Sequence, residues 1–410
     1  MITAPSGTLH SAQQPDWPDP QILATVTDRL AALPALVPLP EADALRERLA
    51  AAARGEALLL QGGHCAEEFG PRALGEAEST VTTLRQMAEI ISYGAAVPVV
   101  PLGRMAGQYA KPRSSPTETR GGVELPAYRG DSVNGLGFTA ADRIPDPWRM
   151  ETAYRTAART LERIRLLPGA DDDLTGPGGP DGLTGSPAGA PFHVSHEALL
   201  LDYETPLVRT DPDSGRRYAG SGHLVWIGER TRQLDGGHVA FAASVANPIG
   251  VKVGPGASAD ELLALTDIID PDREPGRLTF ITRMGADRIH AVLPGLVEKV
   301  TASGAQVLWV CDPMHGNTQV APGGLKTRSL GDITAEIRAF VEIHRSLGTH
   351  PGGLHLELTG SHVTECVGGT DPVTLDDLDR NYTTACDPRL NRGQALDMAF
   401  LAADLWRPAR

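Results

Sequence analysis

The strongest constraint on the fold is a rhythm that begins at Ala57. Short apolar runs recur, each closed by Gly, Pro or a polar cluster: ALLLQGG, VPVVPLG, HLVWIGE, IGVKVGP, LTFITRMG, VLWVCDP and GLHLELTG. Helical stretches lie between several of them, among them TTLRQMAEIISYG, ADELLALTDIID and ITAEIRAFVEIHRSLG. Strands that alternate with helices imply parallel pairing through crossover helices. The number of units in 410 residues favours an α/β fold of the closed (β/α)8 TIM-barrel type over an open sheet.

Two segments stand outside this rhythm. Residues 1–55 read as an N-terminal extension: a Pro-rich arm, then two helical patches, the second being ADALRERLAAAARGE, rich in helix formers with apolar spacing of three and four. Residues 56–410 read as the barrel. Within it, 168–191 (PGADDDLTGPGGPDGLTGSPAGAP) is too dense in Gly and Pro to hold a helix or strand and is expected as a surface loop. No internal repeat is visible.

The formal net charge of −14 argues against nucleic acid and anionic lipid as partners, although it leaves room for a local basic pocket. No apolar run approaches the roughly eighteen residues of a membrane span. The N-terminus, MITAPSGTLHSAQQPDWPDP, lacks a basic start followed by an apolar core, so a cytoplasmic setting is expected. Four cysteines in a chain this long make no disulfide framework.

Catalytic groups of a barrel sit where strands end. LLLQGG is followed by His64 and Cys65, LWVCDPM by His315; GLHLEL carries Glu357 and TTACD ends on Asp387. Singly, such a Cys is usually a packing residue and such a His or Glu a structural hydrogen-bonder. Together, thiolate, imidazole and two carboxylates can ligate a borderline divalent metal. A second, basic set falls at the same kind of position: Arg104, then Lys111, Arg113 and Ser114 in KPRS, Arg230 and Arg232 in GERTR, Lys252 and Arg283. Arg and Lys at the mouth of an acidic protein point to small polyanions; nucleic acid would need a broader basic surface.

The stretches QGGHCAE, RMAGQYAKPRS, YRGDSVNG, SHEALLLDYE, WIGERTRQLDG, NPIGVKVGP, RMGA, WVCDPMHGNT, THPGGLHLELTG, VTECVGG and YTTACDPRLN, in that order from about residue 57 to 400, resemble the class II 3-deoxy-D-arabino-heptulosonate 7-phosphate (DAHP) synthases. The resemblance implies a (β/α)8 barrel that condenses phosphoenolpyruvate with erythrose 4-phosphate at the head of the shikimate pathway. It implies that Cys65, His315, Glu357 and Asp387 hold a divalent metal (Mn, Co, Fe or Zn). Arg104, Glu229, Arg230, Lys252 and Arg283 would surround phosphoenolpyruvate, and Lys111, Arg113 and Ser114 would meet the aldehyde. Lys111, Glu229 and His315 form the expected catalytic set, with Lys111 donating a proton to the aldehyde oxygen and Glu229 guiding water. A homodimer or homotetramer with subunit contacts through the extension is expected.

Three departures from the family pattern stand out. His64 replaces an Asp beside the metal ligand; TGSH, with Ser361 and His362, stands where TGEN is common; and 168–191 stands where longer members carry helices for aromatic amino-acid inhibition. The last resembles short members that serve specialised pathways, so weak or no feedback inhibition by Trp, Phe or Tyr is expected. The two histidines keep open a homologous synthase acting on another aldehyde, such as an amino-sugar phosphate. A non-catalytic homologue should have lost ligands, and all four are present. Cys65 and Cys386 would lie close if the metal draws their loops together, which raises an inactivating disulfide as an alternative to two reduced thiols.

Overall fold

The computed structural model describes residues 9–167 and 192–408; the expected loop at 168–191 lies outside the described residues. Eight strands, β1 (Leu58–Gly63), β2 (Val99–Arg104), β3 (His193–Glu197), β4 (Leu224–Ile227), β5 (Ile249–Val253), β6 (Leu278–Thr282), β7 (Leu308–Cys311) and β8 (Gly353–Glu357), pair in parallel around a closed barrel. The seam joins β1 to β8, from Leu59 opposite Gly353 to Gly63 opposite Glu357. The (β/α)8 TIM barrel read from the apolar runs is the fold observed.

Two helices precede the barrel, α1 (Pro20–Ala32) and α2 (Leu39–Ala53). Around it run α3 (Ala73–Ala95), α4 (Trp148–Arg165), α5 (Gly237–Ser244), α6 (Ala259–Ile269), α7 (Ile289–Ala302), α8 (Leu330–Ser346) and α9 (Arg392–Leu405). After β3 the helix shrinks to one turn, Leu201–Glu204. α3 and α9 cross so closely that a Cβ on Gly94 would stand 2.5 Å from that of Ala403.

The strand period of two sends alternate side chains into the barrel. Inside the barrel, Leu59, Val100, Leu102, Leu224, Trp226, Ile281, Leu308 and Val310 form one apolar cluster, completed by Leu45, Leu49 and Ala52 of α2. Helix α2 therefore closes the N-terminal end of the barrel. Leu45 and Leu49 are fully buried there, each contributing about 1.5–3 kcal/mol. The same alternation, continued up the strands, changes from apolar to charged and delivers Arg104, Lys252, Asp312 and Glu357 to the opposite end.

The arm before α1 lies against its own barrel. Gln13 Oε1 accepts from the backbone N–H of Arg113 (2.9 Å), the Gln13 carbonyl accepts from Arg129 Nη2 (2.6 Å), and Trp17 Nε1 donates to Asp202 (2.8 Å).

Candidate active site

At the C-terminal end of the barrel a cavity of ≈ 240 Å³ is lined by Cys65, Arg104, Gln108, Lys111, Arg113, Ser114, Glu197, Trp226, Glu229, Arg230, Lys252, Arg283, His315, Thr318, Lys326 and Asp387, with Pro112 and Gly228. Every substrate-facing residue expected from the sequence is in this lining. Of the expected metal ligands, Cys65, His315 and Asp387 line the cavity and Glu357 is fully buried beside them. Arg232 is drawn away: it pairs with Glu229 (3.0 Å) and with Glu261 of α6.

The floor is a buried charge network. His355, on β8, accepts at Nε2 from Arg104 (2.6 Å) and from Lys252 (2.7 Å). Two cationic donors on one nitrogen require a neutral ring, so Nδ1–H donates to Gln61 Oε1 (2.7 Å). Gln61 in turn donates to Ser195 Oγ (2.9 Å), and Ser195 to the Gly103 carbonyl (2.9 Å). Burial, Lys252 and Arg104 hold His355 well below the ordinary histidine range. Asp312 takes Lys252 Nζ (2.5 Å) and His315 Nδ1 (2.7 Å) on one oxygen. Burial brings Lys252 down to about 8, against the opposing pull of Asp312. The indole of Trp226 lies under both cations, 5.3 Å from Arg104 and 5.9 Å from Lys252.

Ligand-type atoms of Cys65, Glu357 and Asp387 all lie within 4.8 Å of one another. His315 joins through Glu357, its Nε2 standing 3.1 Å from Oε1. Asp312 holds Nδ1 of His315, which leaves Nε2 facing Glu357 among the other donors. The ammonium of Lys111 reaches both Cys65 and Asp387, a positive charge seated among the same donors. Burial opposes the charge of Lys111, but Asp387, Cys65 and Glu357 hold its pKa well above the ordinary lysine value. Sulfur, imidazole and carboxylate donors around a position already favouring positive charge fit a borderline divalent metal. The link from Asp312 to His315 is the orienting bond such ligands use.

Two further carboxylates in the lining, Glu229 and Glu197, differ in their surroundings. Glu229 is engaged, accepting from the Gly254 N–H (2.6 Å) and from Arg232. Glu197, at the end of β3, keeps a buried Oε1 with no hydrogen-bond partner among the described residues. Burial raises Glu197, and Lys252, Lys111, His315 and Arg104 act against that rise.

His64 turns away from the metal donors. Its Nδ1 accepts from Arg389 (3.2 Å), and Nε2 lies 3.4 Å from Thr80 Oγ1. Burial, with Arg389 and Arg104, lowers it to about 3, so the ring is neutral. Arg389 is already matched by Glu365, which also accepts from the backbone N–H groups of Thr383 and Thr384 and so shapes the loop bearing Asp387. His362 is exposed on the loop after β8, outside the cavity lining. Cys65 and Cys386 are free thiols.

Sequence reading missed several parts of this site. Asp312 and Lys326 carried a signal, one directly after an apolar run and one in the basic segment GLKTR. Lys326 pairs with Asp387 (2.8 Å). Arg328 stands fully buried against Glu357 (2.8 Å). Gln61 and His355 sit mid-strand, where nothing in one sequence separates them from core residues.

A closed parallel barrel with a cation-lined cavity and a cluster of thiol, imidazole and carboxylate donors at its strand ends defines an enzyme for small polyanions. The comparisons with known proteins make that particular. The Class-II DAHP synthetase family matches residues 6–176 and 184–403. The phospho-2-dehydro-3-deoxyheptonate aldolase of Streptomyces coelicolor is 52% identical over 431 residues, covering 97% of this chain and 96% of that protein. The phospho-2-dehydro-3-deoxyheptonate aldolase AroG of Mycolicibacterium smegmatis is 43% identical, covering 97% and 93%. A solved phospho-2-dehydro-3-deoxyheptonate aldolase from Francisella tularensis shares the fold at a TM-score of 0.54 and 13% identity, over 98% of both chains. The chain belongs to the class II DAHP synthetase family and is an enzyme of that class. Among the described residues, no helix is long and apolar enough to cross a membrane.

Proposed function

We propose that the cavity condenses phosphoenolpyruvate with erythrose 4-phosphate, with release of phosphate. The observation that carries this reading is the coincidence, in one cavity, of an anion-binding shell with a separate soft and hard donor cluster, bridged by Lys111. Phosphoenolpyruvate suits the inner shell of Arg104, Lys252, Arg283 and Arg230, where planar forks meet phosphate and carboxylate. Arg113, Ser114 and Lys326 line the outer part, where the aldehyde phosphate would lie.

A divalent ion held by Cys65, His315, Glu357 and Asp387 would supply Lewis acidity toward the aldehyde oxygen. The chain's own groups do the rest. Lys111, kept protonated, donates to that oxygen as the carbon bond forms. Water then adds to C2 of the former enol, and the unpaired oxygen of Glu197 suits the guiding role better than Glu229, which Arg232 and Gly254 already engage. Holding both substrates together can contribute several kcal/mol. The turned-away His64 and exposed His362 leave this aldehyde reading ahead of an amino-sugar phosphate. A cytoplasmic homodimer or homotetramer completes the proposal, with residues 1–55 contributing to subunit contacts.

Stripping the protein with a chelator and following phosphate release from the two substrates tests the metal. Activity should vanish and return with Mn, Co, Fe or Zn; full activity in the stripped protein would remove the ion from the scheme.

A further inference from the structure

Helix α8 inserts one fully buried carboxylate, Glu336, beneath two loops that carry different halves of the site. Its Oε1 accepts from the backbone N–H groups of Met284 (2.8 Å) and Gly285 (3.0 Å), directly after Arg283. Its Oε2 accepts from Asn317 Nδ2 (2.7 Å), two residues after His315. Asn317 closes the circuit, since its Oδ1 accepts from the Ala286 N–H (3.0 Å) and its Nδ2 also donates to the Pro313 carbonyl (2.8 Å). Above this circuit Arg283 Nη2 donates to the His315 carbonyl (2.7 Å). The two loops touch along their backbones: Gly285 has φ +85°, and a Cβ on Gly316 would run into the Gly285 backbone.

We propose that Glu336 is a positioning residue that fixes the phosphate-facing Arg283 loop and the metal-facing His315 loop as one unit, so that either ligand finds the other's site already formed. Glu336 touches neither ligand. It acts through its hydrogen bonds to Met284, Gly285 and Asn317, in the loops that follow β6 and β7. The inference rests on the functional reading above, which assigns the inorganic ion to His315 and phosphoenolpyruvate to Arg283.

Glu336→Gln isolates the role. A glutamine carbonyl still accepts from Met284 and Gly285, but its NH2 meets the NH2 of Asn317, donor against donor. The contact between positions 336 and 317 returns in the double variant Glu336→Gln/Asn317→Asp, which keeps the net charge and lets the introduced amide donate to the introduced carboxylate, while the bond from Asn317 to the Pro313 carbonyl is given up. The readouts are calorimetric titration of the full-length protein with Mn alone and with phosphoenolpyruvate alone. Glu336→Gln should weaken both by about tenfold, the lower end of the range for groups that support a metal ligand, and the double variant should recover part of both losses. A variant that melts earlier yet binds both ligands as tightly as the native protein would reduce Glu336 to a packing role, as would a folded double variant with no recovery. Should Glu336→Gln fail to fold, Asn317→Ser cuts the same circuit from the other side and must weaken both ligands for the proposal to stand. Native protein that binds neither probe would overturn the functional reading itself, whereas native binding with unaltered variants overturns the coupling alone.

Discussion

Lys252 shows how residue-scale chemistry decides the site. Its ammonium is buried among Arg104, Asp312 and a neutral His355, and burial brings it down to about 8 from the usual 10.5. Below that value the shell is fully charged; above it Lys252 loses its proton and with it a phosphate-binding charge. The kcat/KM for phosphoenolpyruvate, which reports the free enzyme, is therefore expected to fall as pH rises through about 8. A flat profile well above that value would show that another cation does this work. Glu197→Gln keeps the shape but removes the base, and turnover should fall by about a hundredfold or more with little change in KM for phosphoenolpyruvate; a variant with native turnover would return the water-guiding role to Glu229. Lys252 and Arg104 were legible because they stand at strand ends, where charge has no packing explanation. His355 and Gln61 were not, because a polar residue inside an apolar run reads as a satisfied core group until its partners on other strands are known.

At the scale of elements, the apolar rhythm exposed seven of the strands and missed β3. That strand reads His193–Glu197, HVSHE, with no apolar run. Its Ser195 bonds Gln61 and its Glu197 ends in the cavity, so site chemistry displaced the hydrophobic signal that would have marked it. The role of α2 was equally hidden. Its apolar spacing identifies a helix, but nothing local says that its face closes a barrel. The α3–α9 crossing gives a stability test at this scale. Gly94→Val must push Ala403 aside, and overpacking of this kind costs about 1–3 kcal/mol. Urea unfolding should show a free energy of unfolding lower by that amount and a correspondingly lower midpoint; an unchanged midpoint would mean the two helices separate freely.

Over the whole molecule, a chain of net charge −14 gathers Arg104, Lys111, Arg113, Arg230, Lys252, Arg283 and Lys326 around one cavity. The surplus of acid outside and of base inside focuses small anions on the strand ends. The barrel holds this arrangement because Arg104, Lys252 and Arg283 stand at the ends of barrel strands above an apolar layer packed on α2, and the loops beyond the strands bring in the other cations. Membership in the class II DAHP synthetase family and the geometry of the cavity lead to the same chemistry. The most direct measurement mixes the purified protein with phosphoenolpyruvate, erythrose 4-phosphate and Mn, and follows product mass together with phosphate release. The account predicts one seven-carbon keto-acid phosphate and one phosphate per phosphoenolpyruvate consumed, both abolished by chelator. Intact phosphoenolpyruvate in the presence of bound metal and a sound fold would contradict it and turn attention to other aldehydes.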